Sequence, residues 1–394
     1  MAFRKLKARK IFTGTQLLDD RVLVVAGNGS IIDLIHADDA GYEVEVWEGW
    51  LCPGFINAHC HLELSHMKGK VARGTGMTDF LLKVLLERQA SPEEKQEAMQ
   101  EALGMMLHNG IVAVGDICNT GDSLQPKLAQ GNIRYQNFIE LTGFVPATAN
   151  TRLEQALQIS SQFRQYFPTE QVHITPHAAY SVSEKLFQLI AAQSPSIVSI
   201  HNQESEAEEN FIRNKTGELL RLYNAIGVSI DFFEATQKSS IEYMLPQLPS
   251  SAQWLLVHNC QTQEKDIEFL KHRLVDHIHS CFLCICPNAN LYIGNSLPDV
   301  AALQASGIPL CIGTDSLTNN DQLSILSELQ TLRKHVPSIP LAQTLQWATL
   351  NGARALQMEN QLGSFEKGKQ PGVLLLQDIG DDESLLDCQI TRLL

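Results

Sequence analysis

No run of apolar residues in this chain approaches the roughly 18 that a membrane-spanning helix needs. Positive charge is also scarce: 30 Lys and Arg stand against 44 Asp and Glu, a net charge of −14. A dedicated nucleic-acid binder needs a clustered basic face to displace counterions, and docking on an anionic membrane needs the same, so both classes are excluded. The stretch Met1 to Thr13 is basic and then strand-like. It lacks the apolar core and small-residue cleavage site of a signal peptide, so a cytoplasmic location is expected. No Gly-rich phosphate loop follows any apolar run. A second Cys/His knuckle at zinc-ribbon spacing is missing too, so Cys281, Cys284 and Cys286 read as core residues rather than thiolate ligands. The nine cysteines are odd in number and lie mostly in apolar runs such as "LLVHNC" and "FLCICP", which suits reduced, buried thiols rather than a disulfide framework.

What remains is an ordinary globular composition, 44% hydrophobic and 19% charged over 394 residues. The first ~50 residues alternate short β-like runs with turns: "RVLVVAGNGSIIDLIH" reads as strand, turn, strand, and "YEVEVWEGW" as a further strand. "KGKQPGVLLLQD" near the other end has the same character, so the two ends are expected to meet in one small β module.

The middle has a different rhythm. Eight short apolar runs end in polar or ionisable residues, at 54–61, 110–117, 134–141, 171–178, 196–204, 254–260, 282–290 and 308–316. Amphipathic stretches such as Pro92–Asn109, Leu153–Tyr166, Ser183–Gln193, Glu209–Ile226 and Thr262–His272 lie between them. Strands alternating with helices mean βα units and a parallel sheet. Eight units over ~300 residues predict an α/β chain with a (β/α)8 TIM barrel, whose chemistry sits at the C-terminal strand ends. The implied division is a β segment over 1–52, the barrel over 53–352, and helix and strands over 353–394 that complete the β module.

Those strand ends carry His59, His61, His177, His201, Glu204, His258 and Asp315. His59 and His61 stand two apart, so strand alternation points both imidazoles to one side, a nitrogen pair suited to Zn²⁺, with Fe²⁺ or Mn²⁺ as alternatives. The spacing alone is weak evidence: His277 and His279 repeat it in a polar connector and read as surface. By the same alternation Glu63 faces the barrel mouth as a substrate contact, and Glu140 ends the third strand with a similar claim. Glu206, Glu208 and Glu209 read as solvated acids at a helix start, where the dipole favours them.

"PGFINAHCHLE", "IHNQE", "LVHNC", "CPNAN" and "IGTDS" together resemble the amidohydrolase superfamily, in particular its deaminase and chlorohydrolase branch. The resemblance covers nearly the whole chain and implies a terminal β-sandwich beside the barrel. It implies one metal held by His59, His61, His201 and Asp315. It also implies Glu204 as proton shuttle, His258 as the residue orienting the attacking water, and His177 as a substrate contact. Binuclear relatives need a Lys at the end of strand four, where this chain has His173 and His177, so one divalent metal is expected. The chemistry follows independently: a metal lowers the pKa of bound water to about 7, and a Glu that is not a ligand serves as acid and base in zinc deaminases.

The expected function is therefore metal-dependent deamination of an amino-substituted heterocycle, with ammonia released from a small-molecule substrate. "NAHCHLELS" and "CPNANLYIGNS" are similar to the aminodeoxyfutalosine deaminases within that branch. Hydrolysis of a cyclic amide, imidazolone or chloro-triazine at the same site is the alternative. A non-catalytic barrel keeping its metal as a staple is the second. A homodimer is what the superfamily implies.

Overall fold

The computed structural model describes residues 3–275, 280–380 and 383–394. The pair His277 and His279 therefore lies outside the described residues.

Both chain ends do meet, in one seven-stranded sheet. Its strands are β1 (Phe3–Phe12), β2 (Leu17–Leu18), β3 (Arg21–Ala26), β4 (Ile31–His36) and β5 (Val44–Pro53). Two more come from the other end, β14 (Val373–Gln377) and β15 (Gln389–Arg392). The order is β15-β14-β5-β1-β3-β4, with β2 on β1, so β14 enters beside β5 in register Leu375 to Leu51. Leu6, Leu23, Val25, Leu51, Val373 and Leu375 form the core of this sheet. A second sheet facing it, as a sandwich would need, is not among the described elements.

From β5 the chain runs almost directly into the first strand of the catalytic half, β6 (Phe55–Cys60). Gly54 makes the junction. A Cβ there would lie 2.3 Å from Val112 Cγ1 and 2.6 Å from the Pro371 carbonyl, so only glycine lets the two modules approach this closely. The next strands are β7 (Ile111–Cys118), β8 (Arg134–Leu141) and β9 (Val172–Pro176). They are followed by β10 (Ile197–Asn202), β11 (Gln253–His258), β12 (Cys281–Ile285) and β13 (Leu310–Ile312). They form two four-stranded parallel sheets, β6-β7-β8-β9 and β10-β11-β12-β13. Single parallel bridges join their edges, Ala178 to His201 on one side and Cys60 to Asp315 on the other. Continuous burial along β6 to β9 is what parallel strands covered on both faces require.

Helices fill the connections much as the periodicity predicts. They include α1 (Met77–Glu87), α2 (Pro92–His108), α3 (Leu124–Gln130), α4 (Ala149–Phe163) and α5 (Glu184–Ala191). Then come α6 (Glu206–Asn214), α7 (Leu219–Ala225), α8 (Ser240–Met244), α9 (Glu264–Arg273) and α10 (Pro287–Gly294). Ser91 and Glu94 cap α2 reciprocally, with Pro92 at its first position.

Two expectations fail for local reasons. The stretch Glu209–Ile226 is not one helix: Lys215 turns left-handed at φ 54° and Gly217 at φ 92°, which ends α6 before α7 begins. The seventh run, 282–290, is strand only to Ile285, because Pro287 starts α10, where its missing N–H costs nothing. The thiols behave as predicted: all nine are free, and Cys281, Cys284 and Cys286 are buried.

One buried charge pair was not anticipated. Lys127 on α3 is fully buried, with Nζ 2.6 Å from Asp116 Oδ2 and 2.8 Å from Asn137 Oδ1, against the rings of Tyr135 and Phe163. Burial disfavours the ammonium, but Asp116 and Cys118 outweigh it and hold Lys127 above its ordinary pKa. The other Asp116 oxygen accepts from the Leu62 amide at 2.8 Å, tying β7 to the residue after His61. Removing one member of such a pair strands the other charge, so Lys127→Met is expected to cost about 3–5 kcal/mol. Urea denaturation at pH 7 measures it, and a midpoint unchanged from the parent would contradict the assignment.

Candidate metal centre and its cavity

The carboxyl ends of the parallel strands converge on one cluster. His61 Nε2 lies 3.2 Å from His59 Nε2 and 3.2 Å from His201 Nε2. Asp315 Oδ1 is 3.4 Å from His61 Nε2 and 3.7 Å from His59 Nε2. His59, His61 and His201 bring ligating atoms within 4.8 Å of one another, and so do His59, His258 and Asp315. Strand geometry accounts for the convergence of His59, on β6, and His61, just after it, two residues apart, while on the neighbouring strands His201 pairs with Val257 and His258 with Asn202, the positive φ of His258 marking where β11 ends.

Asp315 is reached by a sharper device. Thr314 and Asp315 both donate their amides to the His59 carbonyl at 3.1 Å. Asp315 then sits at φ 56° and His258 at φ 76°, left-handed conformations that bulky side chains adopt only where the surroundings impose them. A Cβ on Gly313 would come within 2.8 Å of the His59 carbonyl oxygen, so glycine is required for this approach. Asn319 donates to Asp315 Oδ2 at 2.7 Å, and its own carbonyl is held by Ser316.

Hydrogen-bond partners settle which nitrogens are available. His201 Nδ1 donates to the His177 carbonyl at 2.9 Å, leaving Nε2 with a lone pair towards the cluster. The Asn290 amide donates to His258 Nδ1 at 3.0 Å; in that tautomer the ring hydrogen is on Nε2, 3.5 Å from Glu204 Oε1 and 3.9 Å from Asp315 Oδ2. His258 Nε2 is buried with no hydrogen-bond partner. Three imidazole nitrogens and a carboxylate packed this closely, beside an orphaned buried N–H, fit a divalent transition metal with a polar group next to it.

Electrostatics sharpen the division of labour. Burial pushes the Asp315 carboxyl up, but the rings of His59, His61 and His258 beside it outweigh that and hold it well below the usual range. Burial, with Asp315 and Glu208 nearby, drives Glu204 well above its usual value. Two carboxyls of one cavity are thus pushed in opposite directions, Asp315 down and Glu204 up.

The remaining expected residues fall on both sides. His177 lines the cavity, with Nδ1 2.6 Å from Ser181 Oγ. Glu63 does not serve the cavity. Its oxygens accept the amides of Asn119 and Thr120 at 3.1 Å, so its expected substrate contact is replaced by support of the loop after β7. Burial, with Asp116 nearby, pushes it up to about 8. Glu208 is not a solvated acid either: fully buried, it accepts from the amides of Gln203 at 3.2 Å and Glu204 at 3.0 Å and bonds Ser240. It therefore fixes the backbone carrying Glu204. Glu206 is exposed, as expected of a helix-start acid.

The cluster opens into a cavity of about 770 Å³. Its acids, Glu140, Glu204 and Asp315, gather at the cluster, while the rest of its wall carries Arg88, Lys95 and Arg152 among apolar side chains of α1, α4 and α7. Among the described residues no helix is long and apolar enough to cross a membrane.

Residues 50–384 match the amidohydrolase family. The chain is 27% identical over 352 residues to a 5-methylthioadenosine/S-adenosylhomocysteine deaminase of Teredinibacter turnerae, covering 84% of this chain and 72% of that protein. It is 28% identical over 330 residues to an adenosine deaminase of Helicobacter pylori, covering 81% of this chain and 77% of that protein. In fold it is similar to Helicobacter pylori aminofutalosine deaminase in complex with methylthio-coformycin, at a TM-score of 0.81 and 22% identity over 98% of this chain and 97% of that one.

Burial pushes His177 and His201 down to about 4. Unfolded imidazoles take protons near pH 6.5 that these refuse, so their contribution to stability is full above 6.5 and is lost as pH falls towards 4. Glu63 and Glu208, raised to about 8 and about 7, contribute in the opposite sense and lose their share as pH rises through those values. The test is therefore residue-resolved: in metal-free protein, imidazole NMR signals of His177 and His201 are expected to stay in the neutral position at pH 5. Titration near pH 6.5 would refute it.

Proposed function

The chain belongs to the amidohydrolase family, and we propose that it is a metal-dependent deaminase of 6-aminopurine nucleosides carrying a substituent beyond the sugar. We read the two parallel quartets as halves of one eight-stranded barrel, and the terminal sheet as the accompanying sandwich module. The observation that carries the reaction is Glu204, a buried carboxyl 3.5 Å from His258 at the edge of a four-donor cluster to which it does not itself belong, with burial pushing it well above the usual carboxylate range.

His59, His61, His201 and Asp315 would hold one divalent ion, with Zn²⁺ best suited to three imidazoles and one carboxylate. When bound, such an ion lowers the pKa of a coordinated water to about 7. Asp315, ionised and steadied by Asn319, takes the water's proton. His258 Nε2–H donates towards the oxygen that adds to the ring carbon. Glu204 gives its proton to the ring nitrogen next to that carbon, so that the ring stays neutral as oxygen adds. The proton collected by Asp315 then passes to the departing amine, which leaves as ammonia, and as the added hydroxyl becomes a carbonyl its proton returns to Glu204, so both carboxyls regain their starting states. The balance is one water consumed, one C–O bond formed, one C–N bond broken and one ammonia released.

The relatives named as deaminases of adenosine-type substrates support this reading. The cavity supports the extended substituent: 770 Å³ lies in the range of small-molecule sites, and its outer wall is apolar and cationic. In a chain of net charge −14 a cavity lined by Arg88, Lys95 and Arg152 favours an anionic end on that substituent. Aminodeoxyfutalosine-type substrates, which the sequence motifs single out, belong in the first panel tested.

Ammonia release should be measured across 6-aminopurine nucleosides, aminodeoxyfutalosine, guanine, cytosine and triazines. Turnover confined to the 6-aminopurine nucleosides and aminodeoxyfutalosine is expected, with about one metal per chain by elemental analysis. Two metals per chain would overturn the single-ion site. Glu204→Gln is expected to lower kcat by a factor of about 10²–10⁴, the usual worth of a general acid–base, with metal content unchanged; near-parent turnover would remove Glu204 from the reaction.

A further inference from the structure

Glu140, at the end of β8, has a free oxygen in the wall of the active cavity. The side chain is 3% exposed, and its Oε2 accepts from Asn119 Nδ2 at 2.9 Å. Oε1 is buried and has no hydrogen-bond partner. Its nearest cation-capable neighbour is His201 Nδ1 at 3.4 Å, but the single hydrogen on that nitrogen is already given to the His177 carbonyl at 2.9 Å.

His177 is in a matching state. Ser181 Oγ donates to the Ala178 carbonyl, so it accepts from His177 Nδ1, and the other ring nitrogen keeps a lone pair. Glu140 and His177 each bring an atom within 4.8 Å of the same point on His201, and all three line the cavity. The hydrogens of this corner are spent and its acceptors are not.

Such a corner invites either a cation or neutral donors. A second metal ion does not fit: His201 has two ring nitrogens, one turned to the four-donor cluster and one donating to a carbonyl, so no lone pair is left for it. An ammonium or guanidinium on the ligand is disfavoured by Arg88, which lines the same cavity. Neutral donors remain. Two neighbouring acceptors match two neighbouring hydroxyls, each supplying a hydrogen.

We propose that Glu140, with His177 beside it, is the specificity residue that binds the neighbouring hydroxyls of the substrate's sugar. The inference rests on the nucleoside reading above but is separable from deamination. It makes Glu140 a substrate contact rather than a positioning residue for His201.

Binding is measured by calorimetry on metal-loaded protein carrying Glu204→Gln, so that turnover does not intervene. The probes are adenosine or aminodeoxyfutalosine, whichever binds more tightly, and the counterpart lacking one sugar hydroxyl. A site built to hydrogen-bond a hydroxyl rejects the analogue lacking it strongly, so at least about tenfold weaker binding of the deoxy compound is expected. Adding Glu140→Gln should cut that ratio to about threefold or less, through loss on the hydroxylated ligand, with metal content unchanged. Equal binding of the two ligands by the Glu140 protein overturns the proposal without any variant at that position. It is also overturned if Glu140→Gln weakens both ligands by one factor or sheds metal, as a positioning role requires. Ammonia assays on the Glu204 protein separate the two readings: hydroxyl-dependent binding with no ammonia release would sink deamination and leave Glu140 in place.

Discussion

The close approach of β13 to β6 is the constraint on which the site depends. One carbonyl, that of His59, accepts the amides of both Thr314 and Asp315. That pairing closes the edge between the two parallel quartets and turns Asp315 into a left-handed conformation aimed at the imidazoles. It is possible because residue 313 has no side chain. Metal ligands from opposite ends of the sequence thus depend on a backbone contact, and the left-handed strain at His258 and Asp315 is stored where the chemistry needs placed side chains. A small shift in this contact would move the only carboxylate of the cluster.

Burying so many ionisable groups demands compensation, and the chain supplies it in layers. Imidazoles are kept neutral by burial, which suits them as ligands. Lys127 neutralises Asp116, which in turn holds the backbone after His61. Glu63 braces the loop that presents Asn119, and Asn119 holds Glu140. Glu208 grips the amides under Glu204. Glu204 is thereby backed by a second carboxyl, while Asp315 and His258 lean on the amides of Asn319 and Asn290. Acid residues are the natural choice for this because backbone amides near strand ends need strong acceptors.

How much of this was legible in the sequence follows from the range of the signals. His59 and His61 were legible because period-2 alternation is local and their strand opens the βα series. The same spacing at 277 and 279 was set aside by context alone. His201, Glu204, His258 and Asp315 were legible as strand ends and through their motifs. Glu208 and Glu63 were misread because nothing local separates a solvated acid at a helix start from one that bonds amides within its own turn. Lys127 was missed because its partner lies on the preceding strand and burial of a lysine leaves no periodic trace. The seventh strand was overextended because Pro287 marks a helix start as readily as a loop. Helix α1 was not singled out; its apolar residues both line the cavity and pack on Leu64, Met67 and Ile293.

The step from family to reaction rests on the contrast between two carboxyls. Asp315 and Glu204 share one cavity, yet the first is held low by the imidazoles beside it and the second is pushed up by burial and by Asp315 itself. A hydrolase acting on an unactivated amide needs a base for water and a donor for the leaving group, and the two can act in sequence. Deamination of an aromatic ring needs more: a proton must be on the ring nitrogen while oxygen adds, or the aromatic system resists attack. A carboxyl pushed up by burial, outside the four-donor cluster but beside His258, is placed to meet that need. Glu140, Glu204 and Asp315 gather at the cluster, and Arg88, Lys95 and Arg152 line the same cavity. On the proposed reading, this mixed polarity favours a substrate with an anionic end whose amino-bearing ring meets the cluster.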